Sequence, residues 1–486
     1  MTALTMSNDP IVLGSRRELF WDDYLIDQDK TTASLLLHHP ARKEVVLELN
    51  RPWEGDGCDY FNFFKDDDCY RMYYLGWQML NPEQTEHTTT QICVCYAESQ
   101  DGIYWERPNL GLYSYKGSTD NNILLDPDAD LYDNFFVFKD RNPACPPGER
   151  YKGVAAGGKE GVRSLWCYLS ADGIHFTKSH VITDKGMFDS VNTALWDSRT
   201  GKYLCYIRDF HDYPADDLNA GIRDIRWIES EDFRHWSEPV LLDFQGGDDY
   251  PLYTNNISAY YRAEQVFTGF PTRYVERKEW NDNFEQLSGA PARKKRMKIH
   301  PRYGLATTDC IFMSSRDGKS WKRWDEAFYT PGPEWPLNWV YGDCYPALGM
   351  AETVSDIHPS LREISMFGFQ NHWSNQPAQL FRMTMRIDGF VSAHAGYRPQ
   401  RVVTKPFTFT GTTLSINFAT SALGNLYIRL LDGAGAPIPG YESCELFGDS
   451  IDRKVAFSKP LSDLQGKPVR MELILSDGDV YSFVFA

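Results

Sequence analysis

The sequence has no Cys-x-x-Cys pair among its ten cysteines, and the absence of that spacing excludes the common zinc sites. It has no run approaching the ~18 apolar residues of a membrane helix, so no membrane association is expected. Residues 1–13 carry no basic stretch followed by a long apolar one, so no signal peptide is expected either. The cysteines then read as reduced thiols of a cytoplasmic protein, with Cys93 and Cys95 on one face of a strand. Positive charge is also short. The formal net charge is −17, and an acidic surface repels phosphate backbones, which excludes nucleic acid as a partner. The single basic run, Arg293-Lys294-Lys295-Arg296, lies in a polar stretch and reads as a solvated loop. Helical periodicity is nearly absent.

Aromatic residues, in contrast, make up 14% of the chain. Most suit strand packing, and the remainder suit stacking on sugar rings. At 486 residues the chain is too long for one ordinary core, so a repeat domain with a smaller companion is expected.

A short repeat carries the architecture. Ser-x-Asp, a turn and an aromatic recur at Ser99-Gln-Asp101-Gly102 with Trp105, Ser170-Ala-Asp172-Gly173 with Phe176, Ser230-Glu-Asp232-Phe233 with Trp236, and Ser315-Arg-Asp317-Gly318 with Trp321. A degenerate copy follows at Arg386-Ile387-Asp388-Gly389-Phe390. Three alternating, strand-like runs precede each copy, and each copy opens a further strand. Four strands per unit and five units predict an all-β chain: a five-bladed β-propeller followed by a C-terminal β-sandwich. The predicted blades span about 50–110, 125–180, 188–240, 255–325 and 343–392. The domain boundaries expected are 1–49 for a segment leading into or closing the propeller, 50–395 for the propeller and 396–486 for the sandwich. Within the fifth blade the first strand is expected at 345–351; within the sandwich, short separate strands are expected at 414–417, 426–431, 470–475 and 481–485.

In a propeller, the residues just before each inner strand and those in the loops joining second to third strands share one face. The first set is Asp59, Asp133, Asp189 with Asn192, Asn255 with Asn256, and Asp343. The second includes Glu83, Glu86, Arg208, Asp209, Arg223, Asp224, Arg273, Arg302, Asp309 and His372. Carboxylates and arginines recur at this mouth. Acid–base work on a glycoside needs two carboxylates in environments that push their pKa values apart. Arg208, Arg223, Arg226, Arg273, Asn255, Asp343 and His372 are candidates for binding substrate, the arginines through hydroxyls or a carboxylate. The Asp66-Asp67-Asp68 run reads as a hairpin turn rather than a calcium loop, and no metal or organic cofactor is expected.

These features resemble the five-bladed glycoside hydrolases of families 32, 43 and 68. Asp59-Tyr60-Phe61-Asn62 running to Asp68-Cys69-Tyr70 is similar to the first family 32 motif and its following turn. Phe188-Asp189-Ser190-Val191-Asn192, with Trp196-Asp197 and Gly201-Lys202-Tyr203, is a looser echo of the third-blade motif. The fourth blade opens with Tyr253-Thr254-Asn255-Asn256, where those families place their acid glutamate. The resemblance implies Asp59 as base or nucleophile and Asp189 as transition-state stabiliser, with Asp224 or Asp309 as the acid. The expected activity is hydrolysis or transfer of a glycoside, with a carbohydrate as partner and self-association left open. A glycoside phosphorylase or lyase on the same scaffold, or a non-catalytic sugar-binding propeller, are the alternatives.

Overall fold

The computed structural model describes residues 9–87, 90–130, 132–157, 163–213 and 221–486. The expectation about a signal peptide falls mainly on residues 1–8, outside the described residues. No helix among the described residues is long and apolar enough to cross a membrane. The described residues divide into two compact units, one within 40–260 and 265–385, the other within 9–39, 261–264 and 386–486.

The first unit is a five-bladed propeller, each blade a separate sheet. The first blade is Asp59–Asp66, Cys69–Gly76 and Cys93–Ser99. The second is Phe136–Lys139, Tyr151–Gly157, Ser164–Ser170 and Thr177–Thr183. Thr193–Asp197, Lys202–His211, Ile222–Ser230 and Val240–Leu241 make the third. In the fourth, Ala306–Ser315 pairs with Ala263–Gly269, Thr272–Glu276 and Trp321–Tyr329, and Ser258–Tyr260 lies innermost. The fifth is Ala351–Val354, Arg362–Gln370 and Gln379–Met385, completed by Ala41–Glu48 from the other end of the chain. That pairing closes the ring and leaves no long open edge between first and last blades.

The repeat motif has a physical basis. In all four copies the serine hydroxyl lies 3.0–3.1 Å from the Asp carboxylate. The same carboxylate accepts from the two backbone N–H groups that follow, Ile103 and Tyr104 in the first copy and Lys319 and Ser320 in the fourth. The residue after the aspartate is left-handed, with φ of +73°, +78° and +75° at Gly102, Gly173 and Gly318, and Phe233 at +62° takes that conformation without being glycine. Two of these turns also tie blades together: the Tyr73 hydroxyl donates to the Gly173 carbonyl and the Tyr206 hydroxyl to the Gly318 carbonyl, each at 2.9 Å.

A second recurrence stitches the inner strands. Asn62 donates to the Phe135 carbonyl of the second blade and accepts from Val137 N–H. Asn134 donates to the Phe188 and Ser190 carbonyls of the third. Asn255 donates to the Val191 carbonyl of the third, and Asn256 to the Pro346 carbonyl of the fifth. Leu348 N–H donates to the Phe61 carbonyl and completes the circuit from fifth blade to first. All four asparagines are buried. A buried amide satisfied at both ends stabilises such a junction, whereas an unsatisfied one would weaken it.

Two expectations about this unit need correction. The fifth blade's inner strand begins at Ala351, not Tyr345: Leu348 pairs beside Asn62 of the first blade, and at Gly349, φ +139°, a Cβ would lie 2.2 Å from the Phe63 carbonyl oxygen. The basic run is no solvated loop. It ends the helix Ala290–Arg296, whose three-residue spacing turns Arg293 and Arg296 inward to near-complete burial.

The second unit is a β-sandwich with ten hydrogen-bonded strands among the described residues, around an apolar core. Strands Ile11–Gly14, Arg17–Leu19 and Ser34–Leu37 join those between Val391–Ala395 and Val469–Phe485. The short strands expected near the C-terminus merge into two long ones, Leu414–Asp432 and Val469–Phe485, paired through an irregularity between Thr420 and Asn425. Trp21 is wholly buried in this unit, its indole N–H donating to the Asp388 carbonyl and its ring edge-on to Phe390 at 5.1 Å.

Candidate functional site

The starts of four inner strands carry a left-handed, non-glycine residue beside the mouth residue: Tyr60 after Asp59, Phe188 before Asp189, Asn256 after Asn255, and Cys344 after Asp343. Each costs on the order of 1–3 kcal/mol, and such strain concentrates where a side chain must be aimed.

Asp59 begins its strand buried, and its Oδ1 has no hydrogen-bond partner. Burial, then the nearby Asp133 charge, hold this carboxyl well above the usual carboxylate range; the Trp77 indole opposes them. Asp133 sits before the second inner strand and pairs with Arg163 at 2.6 Å. Its side chain is 35% exposed, yet the walls of the mouth desolvate it. Desolvation first, and the Asp189 charge after it, push Asp133 up to about 6 against the pull of Arg163 and Arg208. Asp189 ion-pairs with Arg208, which is buried. Asp59, Asp133 and Asp189 thus act on one another in sequence around the axis.

An aromatic wall faces them. Tyr253 and Tyr341 share a hydroxyl–hydroxyl hydrogen bond of 2.9 Å, and Tyr253 stacks on Tyr345 with ring centroids 5.4 Å apart. Tyr303 stacks on Tyr341, and Trp373 packs against both. Burial first, then Tyr253, Asp59, Tyr345 and Asp133, push the Tyr60 hydroxyl well above its ordinary range.

The remaining candidates sit elsewhere or are already engaged. Asp224 is buried, bonded to His211 at 3.0 Å and to Arg226 at 3.2 Å. Arg226 also pairs with Asp209, and these two line a cleft of about 390 Å³ with Lys185, Met187, Tyr213 and Glu238. Asp309 is held by both arms of the Arg273 guanidinium at 2.7 Å, and Arg273 also donates to the Asp325 carbonyl. The Asn255 amide, expected to donate to a hydroxyl, is used within the protein at both ends, its oxygen accepting from Thr193.

Asp343 and His372 belong to a buried polar group. Asp343 accepts from Val340 N–H at 2.8 Å, and burial, against the pull of Arg296 and Arg293, pushes it up to about 7. Burial, with Arg296 adding to it, pushes His372 down to about 3. Gly342 at φ +94° leaves no room for a side chain, since a Cβ there would lie 2.1 Å from the His372 ring. Arg296 makes no hydrogen bond from any guanidinium nitrogen, and burial lowers it to about 10 despite the charges of Asp343 and Asp56.

The sequence reading passed over Tyr253, Tyr341, Tyr345, Trp77 and Arg163 and left Asp133 without a chemical role. The signal for Asp133 was present: an aspartate shortly before an inner-strand asparagine recurs as Asp59-x-x-Asn62, Asp133-Asn134 and Asp189-x-x-Asn192. Nothing comparable marks the tyrosines.

No family model matches the chain, and no curated protein matches it in sequence. Among solved structures it is similar to a glycosyl hydrolase from Bacteroides ovatus, at TM-score 0.42 and 12% identity over 76% of this chain and 93% of that one. It is similar at TM-score 0.44 and 12% identity, over 73% and 96%, to a protein from a family of mannoside phosphorylases that contains hydrolases of β-1,2-mannosidic linkages. A fructofuranosidase from Schwanniomyces occidentalis is similar at TM-score 0.37 and 10% identity, over 91% and 99%. Likeness at these values leaves the chemistry of this chain to be argued from its own residues.

Proposed function

We propose that the chain cleaves a glycosidic bond at the propeller mouth, with Asp59, Asp133 and Asp189 as its acid–base machinery. One observation carries the reading: three interacting aspartates occupy three different electrostatic environments. Asp59 is buried with a raised pKa and suits a proton donor to the leaving oxygen, not the base expected from sequence. Asp133, near 6, suits the group that takes a proton from the attacking water. Asp189, fixed by Arg208, supplies a held negative charge for a sugar cation in the transition state. The aromatic wall of Tyr253, Tyr341 and Tyr345 suits the apolar face of a sugar ring. Asp224 and Asp309, the acids expected from sequence, are committed to His211, Arg226 and Arg273, which favours structural roles for both.

A panel of aryl glycosides and oligosaccharides, assayed with wild type, Asp59→Asn and Asp133→Asn, tests this. Turnover of one sugar class by wild type, lost in both variants, supports it. Unchanged turnover in both variants would sink it.

We also infer a reducing, cytoplasmic setting. Ten unpaired cysteines support it, seven of them buried as small apolar side chains.

A further inference from the structure

Three guanidinium groups converge on the Tyr253–Tyr341 pair. The Arg208 guanidinium carbon lies 5.4 Å from the Tyr253 ring and that of Arg223 5.9 Å, while that of Arg302 lies 5.8 Å from the Tyr341 ring. Arg223 also lies 4.2 Å from the Tyr274 ring, and Arg302 5.3 Å from the Tyr303 ring. A cation held near ring faces keeps N–H groups available to an anion, and the Arg302 guanidinium also lies within reach of the Tyr303 hydroxyl.

The charges around the pair do not balance. Arg208 is matched by Asp189. Neither Arg223 nor Arg302 makes an ion pair among the described residues, and the buried Nε of each lacks a hydrogen-bond partner. Arg223 is only 4% exposed. A buried cation without a partner is costly, and proteins retain one where a ligand supplies the opposite charge. The excess of positive charge stands out in a chain of net charge −17.

We infer that the mouth contains an oxyanion subsite in which Arg223 and Arg302 bind a carboxylate, sulfate or phosphate group, with Tyr253 and Tyr341 beside it. The inference rests on the carbohydrate reading above and deepens it. The oxyanion is carried on the sugar, as in a uronide or sulfated glycoside, or is free inorganic phosphate bound next to a neutral one. A guanidinium fork suits either shape.

The test has a binding arm and a turnover arm. Thermal melting of wild type, Arg223→Gln and Arg302→Gln is followed in phosphate, sulfate or glucuronate against chloride at equal ionic strength. Melting should rise with at least one oxyanion in wild type, and apparent affinity should fall roughly 10- to 100-fold in each variant, as for loss of a charged hydrogen bond. Arg302 is half-buried, so Arg302→Gln keeps the test readable where Arg223→Gln fails to fold. For turnover, aryl glucuronides and their neutral counterparts are compared with and without phosphate. Preference for the uronide assigns the oxyanion to the sugar, and phosphate-dependent turnover of the neutral compound assigns it to free phosphate.

A wild-type response no larger than that to chloride, or one unchanged in Arg302→Gln, overturns the subsite, even where neutral glycosides are cleaved. An arginine-dependent response without turnover of any glycoside upholds the subsite and overturns the cleavage reading instead.

Discussion

Asn62 in the first blade and Phe135 in the second are joined by a buried hydrogen bond, side-chain Nδ2 to backbone oxygen, at 3.0 Å. The same amide donates to the Tyr73 carbonyl and accepts from Val137 N–H. Asn62→Ala removes the side-chain partner of the Phe135 carbonyl and the Val137 N–H across the blade junction, a loss of about 2 kcal/mol or more. Urea unfolding should show that drop with an unchanged slope. A loss below about 0.5 kcal/mol would mean that water replaces the amide at no cost.

Asp59→Asn and Asp133→Asn should each lower turnover by ~10²–10⁴-fold, the usual contribution of a positioned acid or base. Their stabilities should differ from those of ordinary core mutants. Asparagine at 59 removes a carboxyl that burial already disfavours as an anion, so at neutral pH Asp59→Asn should be at least as stable as wild type. A markedly destabilised Asp59→Asn would show that the carboxylate holds the fold together rather than serving at the mouth.

Asp343 and His372 give stability two opposing slopes with pH. The folded pKa of Asp343, about 7, lies above its unfolded value near 4. The folded state therefore holds the extra proton, and that stabilisation is lost as pH rises from about 4 through 7. The folded pKa of His372, about 3, lies below its unfolded value near 6.5, so the unfolded state holds the extra proton and stability rises with pH from about 3 to 6.5. Each slope is at most about 1.4 kcal/mol per pH unit. Asp343→Asn should expose the rising limb and His372→Asn the falling one in urea midpoints between pH 4 and 8. Parallel profiles for wild type and both variants would contradict the assignment.

The thiols make a separate check. Cys444 is the one exposed cysteine, Cys69 and Cys145 are half-buried, and the other seven are buried. A thiol reagent should modify Cys444 first in the native protein and all ten cysteines once the chain is denatured without reductant. Protected pairs after denaturation would mean disulfides, and so an oxidising compartment.

The Ser-x-Asp turns were legible in the sequence because their hydrogen bonds are local: one carboxylate caps the two N–H groups that follow it. Four copies of that local device and a degenerate fifth at Asp388 pointed to five blades, and position within the repeat put Asp59, Asp133 and Asp189 forward as mouth residues. That Asp59 and Asp133 are pushed above the ordinary carboxylate range was decided only in three dimensions, since burial and the charge of a residue more than fifty positions away set it. Asn255 and Asp309 show the same limit from the other side. Asn255 stands where a substrate contact was expected and Asp309 where an acid was, and both are taken up within the protein, by Val191 and Arg273. Arg293 and Arg296 looked solvated because charge in a polar stretch ordinarily is. Only the packed helix buries them, because tertiary contacts, unlike the local turn, bring together groups that sequence order leaves apart.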